Sequence, residues 1–247
     1  MFSNLKKYWR QLNESEWKLG ICLKGYEGLK SQDIQWISNG KYRNKWFADP
    51  FILDYNSESI YLLVEEFDYS VHRGRIAKLR IDRNSWTVLD CKIILDLPTH
   101  LSFPFILREN GHIYVCPENY KSGSWSMYEY NPIDEKVTFI KEIHQRRFTD
   151  ATLWKFRQKY YILSTEEPTP NGPTLNIFSS DTLMGEFKHV SKFVFNENIA
   201  RNAGAVFEYN KELYRPAQEC NYVYGHSIVF QKIELNDAGF NFKESYR

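Results

Sequence analysis

A repeated two-strand unit constrains the fold of this chain more than any other feature of its sequence. Each copy begins with a small or polar residue and a short apolar strand, passes through a polar turn, and ends in a second strand that opens on a tyrosine. The four copies are ADPFILDYNSESIYLLVEE from Ala48, SFPFILRENGHIYVCPEN from Ser102, TDATLWKFRQKYYILSTE from Thr149 and NAGAVFEYNKELYRPAQE from Asn202. Hairpins of nearly equal length that recur in this way indicate a structural repeat.

The copies also align position by position. The opening tyrosine lies 12 residues after Asp49 in the first copy and 11 residues after the corresponding position in the other three. The residues equivalent to Asp49 are Phe103, Asp150 and Ala203. Two of the four equivalent positions therefore carry an aspartate.

Two further strands follow each hairpin, so the repeat predicts four strands per unit. The third strands are expected at 74–82, 125–132, 174–181 and 226–235, and the fourth strands at 88–96, 137–145, 186–195 and 240–245. Four-stranded units that recur every 47–54 residues are typical of the blades of a β-propeller. A parallel α/β fold is excluded, because the sequence lacks the helical crossovers that join parallel strands.

The sequence before the first copy predicts a partial unit. Residues 17–23 and 33–38 have the pattern of a third and a fourth strand, and the chain ends at Arg247 just after the last complete unit. The prediction is an all-β, five-bladed β-propeller over residues 17–247, with four complete blades and an incomplete fifth. Residues 1–16 are expected to form a short helical appendage. An open ring, a longer natural protein or another chain that completes the fifth blade would each explain the missing strands.

Composition excludes several other classes of protein. The formal net charge is +1 and no basic stripe is present, so nucleic acid is not an expected partner. The four cysteines are far apart without CxxC spacing, which argues against a zinc site or a disulfide framework. No cofactor is required. No apolar run is long enough for a signal peptide or a membrane span, which predicts a cytoplasmic protein.

Charged residues recur at positions that a propeller brings together. The first strand of each blade lines the central channel, so Asp49 and Asp150 are expected to face it from different blades. The second strands end in further polar residues, namely Glu65, Glu66, Glu118, Glu166, Gln218 and Glu219. Because a buried carboxylate is costly without a partner or a role, this pattern predicts one acidic site. A calcium ion held by Asp49, Glu66, Glu118 and Asp150 is the less favoured alternative.

Basic and aromatic residues are expected to join this site. Arg201 precedes the fourth hairpin, and Arg215 lies inside its second strand, where the other copies have apolar residues. Arg215 is therefore expected to need a carboxylate partner. His100 precedes the second hairpin, and Trp46 offers a flat face to a sugar ring.

Each candidate also has a purely structural interpretation. Asp49 and Asp150 can serve as turn residues that bind backbone amides. The glutamates at the strand ends can be solvated edge charges, and the two arginines can be clamps that join blades. For His100 the structural interpretation is favoured, because no paired base is in view.

Several motifs, in order, resemble a known family. They are WFADPF, HLSFPF, the pair Pro117-Glu118, ARNAGAVF at 200–207, and YRPAQEC at 214–220 followed by YG at 224–225. From about Trp17 to its end, the chain resembles the N-terminal domain of plant glucosamine inositolphosphorylceramide transferases and similar bacterial domains. The resemblance implies a role in building glycolipids or glycans, with the transferase chemistry carried by another domain.

The motif Ala48-Asp49-Pro50 is also similar, more distantly, to a motif in the five-bladed propellers of glycoside hydrolase family 43. In that family the aspartate of the motif is the general base, an aspartate of blade two tunes its pKa, and a glutamate of blade three is the general acid. The resemblance implies that Asp49 is the base. Phe103 replaces the second aspartate, and Asp150 stands near the position of the acid, which departs from the standard inverting pair.

Two functions are consistent with these residues. The first is an enzyme that hydrolyses or transfers a glycosidic bond, with Asp49 as base or nucleophile and Asp150 or Glu118 as acid. Its substrate-binding residues would be Glu66, His100, Glu166, Arg201, Arg215, Gln218 and Trp46. The second is a non-catalytic module that binds a glycan or glycolipid headgroup for a partner enzyme. A protein-interaction propeller is less favoured, because the sequence lacks the GH…WD pattern.

Overall fold

Four antiparallel four-stranded sheets make up most of the computed structural model, which describes residues 17–29, 34–236 and 239–247. A separate two-stranded sheet precedes them. The helix predicted over residues 1–16 lies outside the described residues. In the part of the chain that the structure describes, no helix has both the length and the apolar character needed to cross a membrane.

The strands follow one another in chain order. The two-stranded sheet consists of β1 (Gly20–Cys22) and β2 (Ile34–Trp36). Blades one and two consist of β3 (Lys45–Tyr55), β4 (Ser59–Asp68), β5 (Arg73–Asp82), β6 (Val88–Leu95), β7 (Ser102–Glu109), β8 (His112–Glu118), β9 (Trp125–Asn131) and β10 (Lys136–His144). Blades three and four consist of β11 (Phe148–Phe156), β12 (Lys159–Glu166), β13 (Thr174–Ser180), β14 (Lys188–Val194), β15 (Phe207–Tyr209), β16 (Glu212–Glu219), β17 (Ser227–Asn236) and β18 (Gly239–Tyr246).

Each blade is a four-stranded meander, and the predicted β-propeller architecture is confirmed. The observed third and fourth strands begin and end within two residues of the predicted bounds. The first strands of neighbouring blades, β3, β7 and β11, contact one another and therefore lie on the inside of the ring.

The prediction of a fifth blade is wrong. The described residues form four blades, and the strands expected for the fifth form the separate sheet β1–β2, with only three paired residues in each strand. Leu19 and Ile37, which flank this sheet, belong to the apolar core of blade one. Tyr26 packs against Phe207 and Phe230 of blade four. The apolar pattern correctly indicated strands, but strands this short fill the space between blades one and four without building a blade.

Apolar side chains between neighbouring blades hold the ring together. Blades one and two meet through Leu53, Leu63, Ile106, Val115 and Tyr130. Blades two and three meet through Phe105, Cys116, Trp125, Phe148, Ile162 and Phe178. Blades three and four meet through Leu163, Leu175, Ile177, Ile233 and Phe242. Each sheet therefore buries its faces against the next blade, which leaves the polar residues of the inner strands for the centre.

A β-bulge recurs at the same place in three inner strands. Asp49, Phe103 and Asp150 have φ angles of 50°, 42° and 45°, and the register of strand pairing shifts at each of them. A positive φ is unfavourable for a residue with a side chain, so its recurrence at equivalent positions is a structural requirement of the repeat. Such bulges re-aim a side chain, and here they do so at the centre of the ring.

Candidate functional site

A cavity of about 440 Å³, here called the funnel cavity, opens at the centre of the ring. Asp49, Phe103 and Ala203 line it, so three of the four equivalent repeat positions meet there. Further aromatic rings on its wall belong to Trp17, Trp36, Phe51 and Tyr224. Gln218 adds an amide. A concave wall that is largely apolar, with a few converging polar groups, is typical of a small-molecule site.

Asp49 is the carboxylate on the wall of the funnel cavity. Its Oδ2 accepts a hydrogen bond from the backbone N–H of Phe103 at 3.0 Å. Burial raises the pKa of Asp49 well above its usual value, and the negative charges of Asp150 and Glu65 raise the pKa further, against the opposing effects of this hydrogen bond and Arg201. Asp49 therefore keeps its proton to a higher pH than an ordinary aspartate.

Asp150 and Glu118 lie buried beside this wall and are joined by Arg201. The Oδ2 atom of Asp150 accepts hydrogen bonds from Nε of Arg201 and Nε2 of Gln218, both at 2.6 Å. The backbone N–H of Asp150 donates to Oε2 of Glu118 at 2.7 Å, and the Arg201 guanidinium lies 3.6 Å from the same oxygen. Burial, and then the charge of Asp150, raise the pKa of Glu118 well above its usual value.

Glu65 connects His100 to Asp49. The backbone N–H of Gly74 donates to Nδ1 of His100 at 2.9 Å, so the proton of the neutral ring lies on Nε2. That Nε2 atom is 3.1 Å from Oε1 of Glu65. Burial raises the pKa of Glu65, while the neighbouring His100 and Asp49 side chains oppose this effect.

One acidic cluster therefore forms from different blades, as the repeat predicted. Its four carboxyl groups belong to Asp49, Glu65, Glu118 and Asp150. Arg201 is the cation that bonds directly to Asp150 in this cluster. Within the described residues, no group of three or more His, Cys, Asp or Glu side chains is arranged to hold a metal ion.

Glu66 and Glu166, both predicted substrate ligands, are not brought to the funnel cavity. Successive residues of a strand point to opposite faces, so Glu65 and Glu66 cannot both face the centre. Glu66 is fully buried and accepts hydrogen bonds from Lys45 and Arg75. Glu166 pairs with Arg146 at 2.8 Å. These contacts are structural ion pairs.

Arg215 is fully buried behind the acidic cluster. The expectation that Arg215 pairs with a carboxylate is wrong, because its guanidinium donates to neutral acceptors. Nε donates to Oδ1 of Asn202 at 2.7 Å, and the other two nitrogens donate to the side chain of Gln231 and to the carbonyl of Ala200. Burial lowers the pKa of Arg215 to about 9. Asn202 in turn donates to the backbone carbonyl of Asp150 at 2.7 Å. Arg215 therefore acts on the site through Asn202.

Tyr224 is a residue of the site that sequence reasoning did not select. It lies in the loop between β16 and β17, where the Arg201 guanidinium is 4.9 Å from the centre of its ring. Trp17 packs against the same ring edge-on, with ring centroids 5.8 Å apart. A single aromatic residue in a loop carries no periodic signal, and only its place in the YG motif could have pointed to it.

The raised pKa of Asp49 predicts a pH-dependent stability. Because this pKa lies above the ordinary 3.8, the stability that Asp49 contributes is fully present below about pH 4 and is lost as the pH rises through the folded-state pKa. In the Asp49→Asn variant the amide oxygen can still accept from Phe103, while the charge is gone. We expect this variant to be more stable at pH 7 by about 1 kcal/mol. Denaturant unfolding between pH 4 and 8 measures the effect, and equal pH slopes for both proteins would contradict it.

Sequence comparison places most of the chain beside one family. Residues 33–245 match the profile described as "Glucosamine inositolphosphorylceramide transferase 1, N-terminal". Glucosamine inositolphosphorylceramide transferase 1 of Arabidopsis thaliana is 30% identical over 221 residues, which are 85% of this chain and 28% of that protein. The protein of the same name from Oryza sativa subsp. japonica is 27% identical over 206 residues, 80% of this chain and 27% of that protein. The chain therefore spans about a quarter of the length of these curated relatives.

Solved structures with a similar fold include glycoside hydrolases. A family 43 β-xylosidase/α-arabinofuranosidase from a compost microbial metagenome, in complex with xylotriose, matches with a TM-score of 0.60 at 13% identity, over 80% of this chain and 73% of that one. An exo-β-1,3-galactanase from Phanerochaete chrysosporium, with β-1,3-galactotriose, has a TM-score of 0.62 at 8% identity, over 81% and 49% of the two chains. At such identities the likeness shows the fold alone.

Proposed function

The chain belongs to the family of the N-terminal part of glucosamine inositolphosphorylceramide transferase 1, and from this premise we propose that its funnel cavity binds the sugar of a glycan or glycolipid headgroup. The observation that carries the proposal is the wall of the cavity, where Trp17, Trp36 and Tyr224 lie beside Asp49 and Gln218. Aromatic rings pack against the apolar faces of a sugar ring, and a carboxylate and an amide bind its hydroxyl groups. In this role the chain would serve a partner enzyme or domain in the assembly of cell-surface glycans.

The positions of Asp150 and Glu118 favour saccharide binding over catalysis. Cleavage or transfer of a glycosidic bond by a general acid requires a carboxyl that keeps its proton and reaches the substrate. Asp150 is held as an acceptor by Arg201 and Gln218. Glu118 has the raised pKa of an acid but is buried, with 5% of its surface exposed. Neither Asp150 nor Glu118 lines the funnel cavity.

Cleavage or transfer of a glycosidic bond is the second candidate function, and the raised pKa values of the carboxyl groups favour it. Raised pKa values at Asp49, Glu65 and Glu118 in one cluster are typical of active sites. Asp49 would then accept the proton of an attacking hydroxyl group, and Glu118 would supply a proton to the leaving oxygen after a movement that exposes it.

Binding of mono- and oligosaccharides to Asp49→Asn tests the first candidate. Because a hydrogen bond to a charged group contributes about 1.5–3 kcal/mol, we expect the variant to bind at least about tenfold more weakly. Asp90→Asn, at an exposed position of β6, is the matched control and should bind like the wild type. Calorimetry with a panel of hexoses and hexosamines measures both. A wild type that binds no saccharide, or an Asp49→Asn variant that binds equally well, would refute the proposal.

Turnover separates the two candidates. Wild type and Asp49→Asn are incubated with aryl glycosides and with nucleotide sugars, and the released aglycone or nucleotide is measured. Turnover by the wild type that the variant loses supports the second candidate. Saccharide binding without turnover on any of these substrates supports the first.

A further inference from the structure

The loop between β16 and β17, residues 221–226 and here called the mouth loop, forms part of the wall of the funnel cavity. Tyr224 and Gly225 of this loop line the cavity together with Trp17. The outer side of the loop is in solvent, since 77% of the surface of Tyr222 and 49% of that of Tyr224 are exposed. The mouth loop therefore separates the cavity from the surrounding water.

Hydrogen bonds anchor both ends of the mouth loop. Oδ1 of Asn221 accepts from the backbone N–H of Asn198 at 2.9 Å, and Nδ2 of Asn221 donates to Oε2 of Glu197 at 2.8 Å. Directly after the loop, Oγ of Ser227 donates to Oε2 of Glu219 at 2.5 Å. The ends of the loop are therefore fixed to the strands and to the segment before β15.

Ring contacts hold the tip of the mouth loop. The ring of Tyr224 covers Arg201, whose guanidinium lies 4.9 Å from the ring centre, and Trp17 contacts the same ring edge-on at a centroid distance of 5.8 Å. A third contact, between Tyr222 and His226, lies within the loop and moves with it. Each such contact shifts a conformational equilibrium by about threefold to tenfold. The tip can therefore separate from the ring of blades while its ends stay in place.

Gly225 is the point at which Trp17 packs against the mouth loop. Its φ angle is 71°, which glycine adopts without strain. A Cβ atom at this position would lie 2.5 Å from Cη2 of Trp17, closer than non-bonded atoms approach. The backbone N–H of Gly225 also lies near the thiol of Cys220, where it opposes the rise in the pKa of Cys220 that burial causes. The closed position of the loop is thus a specific packing arrangement.

We propose that the mouth loop and Trp17 form a lid, which opens to admit a ligand to the funnel cavity and closes on it. The structure shows the closed lid, in which only 12% of the Arg201 side chain is exposed. A ligand in the cavity contacts the rings of Trp17 and Tyr224 and therefore favours the closed state. The role of the lid in ligand entry rests on the proposed function, whereas its opening and closing do not.

The reaction of Cys220 with iodoacetamide measures how often the lid opens, because the thiol lies beside Gly225. Gly225→Ala forces a steric conflict with Trp17, and Trp17→Ala removes the contact. We expect Cys220 to react about tenfold faster in the first variant and about threefold faster in the second than in the wild type, as measured by peptide mass spectrometry. Gly123→Ala is the matched control, since Gly123 has a φ of 84° but no atom within 4 Å of the added Cβ. It should react like the wild type.

Three outcomes would overturn the lid. The first is an equal reaction rate of Cys220 in the wild type, Gly225→Ala and Trp17→Ala. The second is an equal acceleration in Gly123→Ala, which would show that backbone strain anywhere has this effect. The third is an acceleration of the same size at Cys91 of β6, a free thiol outside the mouth loop, which would show that the whole fold has loosened.

The same reaction shows whether a ligand closes the lid. Wild type is labelled with and without saturating glucose or glucosamine, and the bound saccharide should slow the reaction of Cys220 about threefold or more while Cys91 is unaffected. If calorimetry shows that these saccharides bind but the rate at Cys220 is unchanged, closure on the ligand is refuted and the proposed function stands. If no saccharide binds and Gly225→Ala still accelerates the reaction, the proposed function is refuted and the opening of the lid stands.

Discussion

Replacing Arg201 with methionine should lower the free energy of unfolding at pH 8 by about 4 kcal/mol, because removing one partner of a buried ion pair leaves its counter-charge uncompensated. Arg201 bonds directly to Asp150 and lies 3.6 Å from Glu118, and only 12% of its side-chain surface is exposed. Although burial alone would lower it, these carboxylates raise the pKa of Arg201, so the side chain stays cationic. In the variant, the buried carboxyls of the acidic cluster would face one another without this guanidinium.

The loss should depend on pH with a definite sign. Arg201 lowers the pKa of both Asp49 and Glu118, so its removal raises these two values further above the ordinary 3.8 and 4.5. A carboxyl with a raised folded-state pKa contributes stability that is present at low pH and lost as the pH rises through that pKa. The difference between Arg201→Met and the wild type should therefore be largest at pH 8 and shrink towards pH 4.

Denaturant unfolding of both proteins across this pH range measures the effect. Arg201→Lys is the control, because it keeps the charge but not the fork that bonds Asp150 and Asn171. It should fall between the wild type and the methionine variant at pH 8. A loss of the same size at every pH would show that Arg201 contributes only packing, for example against the ring of Tyr224, and would contradict the electrostatic account.

Replacing Arg215 with methionine should cost about 3 kcal/mol, the second-largest effect expected, because it leaves buried acceptors without donors. Those acceptors are the side-chain oxygens of Asn202 and Gln231 and the carbonyl of Ala200. Two effects oppose each other here, since the variant also removes the cost of burying a cation. The cost of the unsatisfied acceptors should exceed the gain from no longer burying a cation, because methionine replaces most of the bulk of arginine but donates no hydrogen bond.

A second substitution separates packing from hydrogen bonding. Adding Gln231→Leu to Arg215→Met removes one of the stranded acceptors and should recover about 1 kcal/mol of the loss. Because Asn202 also donates to the carbonyl of Asp150, Arg215→Met should weaken saccharide binding even where the variant remains folded. Thermal and denaturant unfolding together with calorimetry measure these effects. A variant as stable as the wild type would refute the structural role of Arg215.

The inner strands show how much of the site was predictable. Four copies with one spacing placed Asp49, Phe103, Asp150 and Ala203 at equivalent positions, and a propeller brings equivalent positions together by symmetry. The structure adds the bulge with positive φ at Asp49, Phe103 and Asp150, which aims these side chains at the centre. No local pattern of residues predicts such a bulge, because its geometry depends on the pairing with the second strand.

The ends of the second strands show where sequence reasoning reached its limit. Glu65 and Glu66 are adjacent, and a count from the tyrosine selects neither over the other. A shift of one residue reverses the face of a strand, so the choice depends on the register with the inner strand. In the structure Ala48 pairs with Glu65, which sets Glu65 beside Asp49 and turns Glu66 towards Lys45 and Arg75.

The amino-acid sequence by itself determined the repeat, the four strands of each blade and the convergence of carboxylates from separate blades, because all three follow from periodicity along the chain. The tertiary structure alone decided the number of blades, the neutral partners of Arg215 and the place of Tyr224. These features arise where segments distant in sequence meet, and their distances and burial depend on how the whole ring closes. The repeat spacing shows which residues occupy equivalent positions, but which of these residues are in contact depends on how the blades pack in the ring.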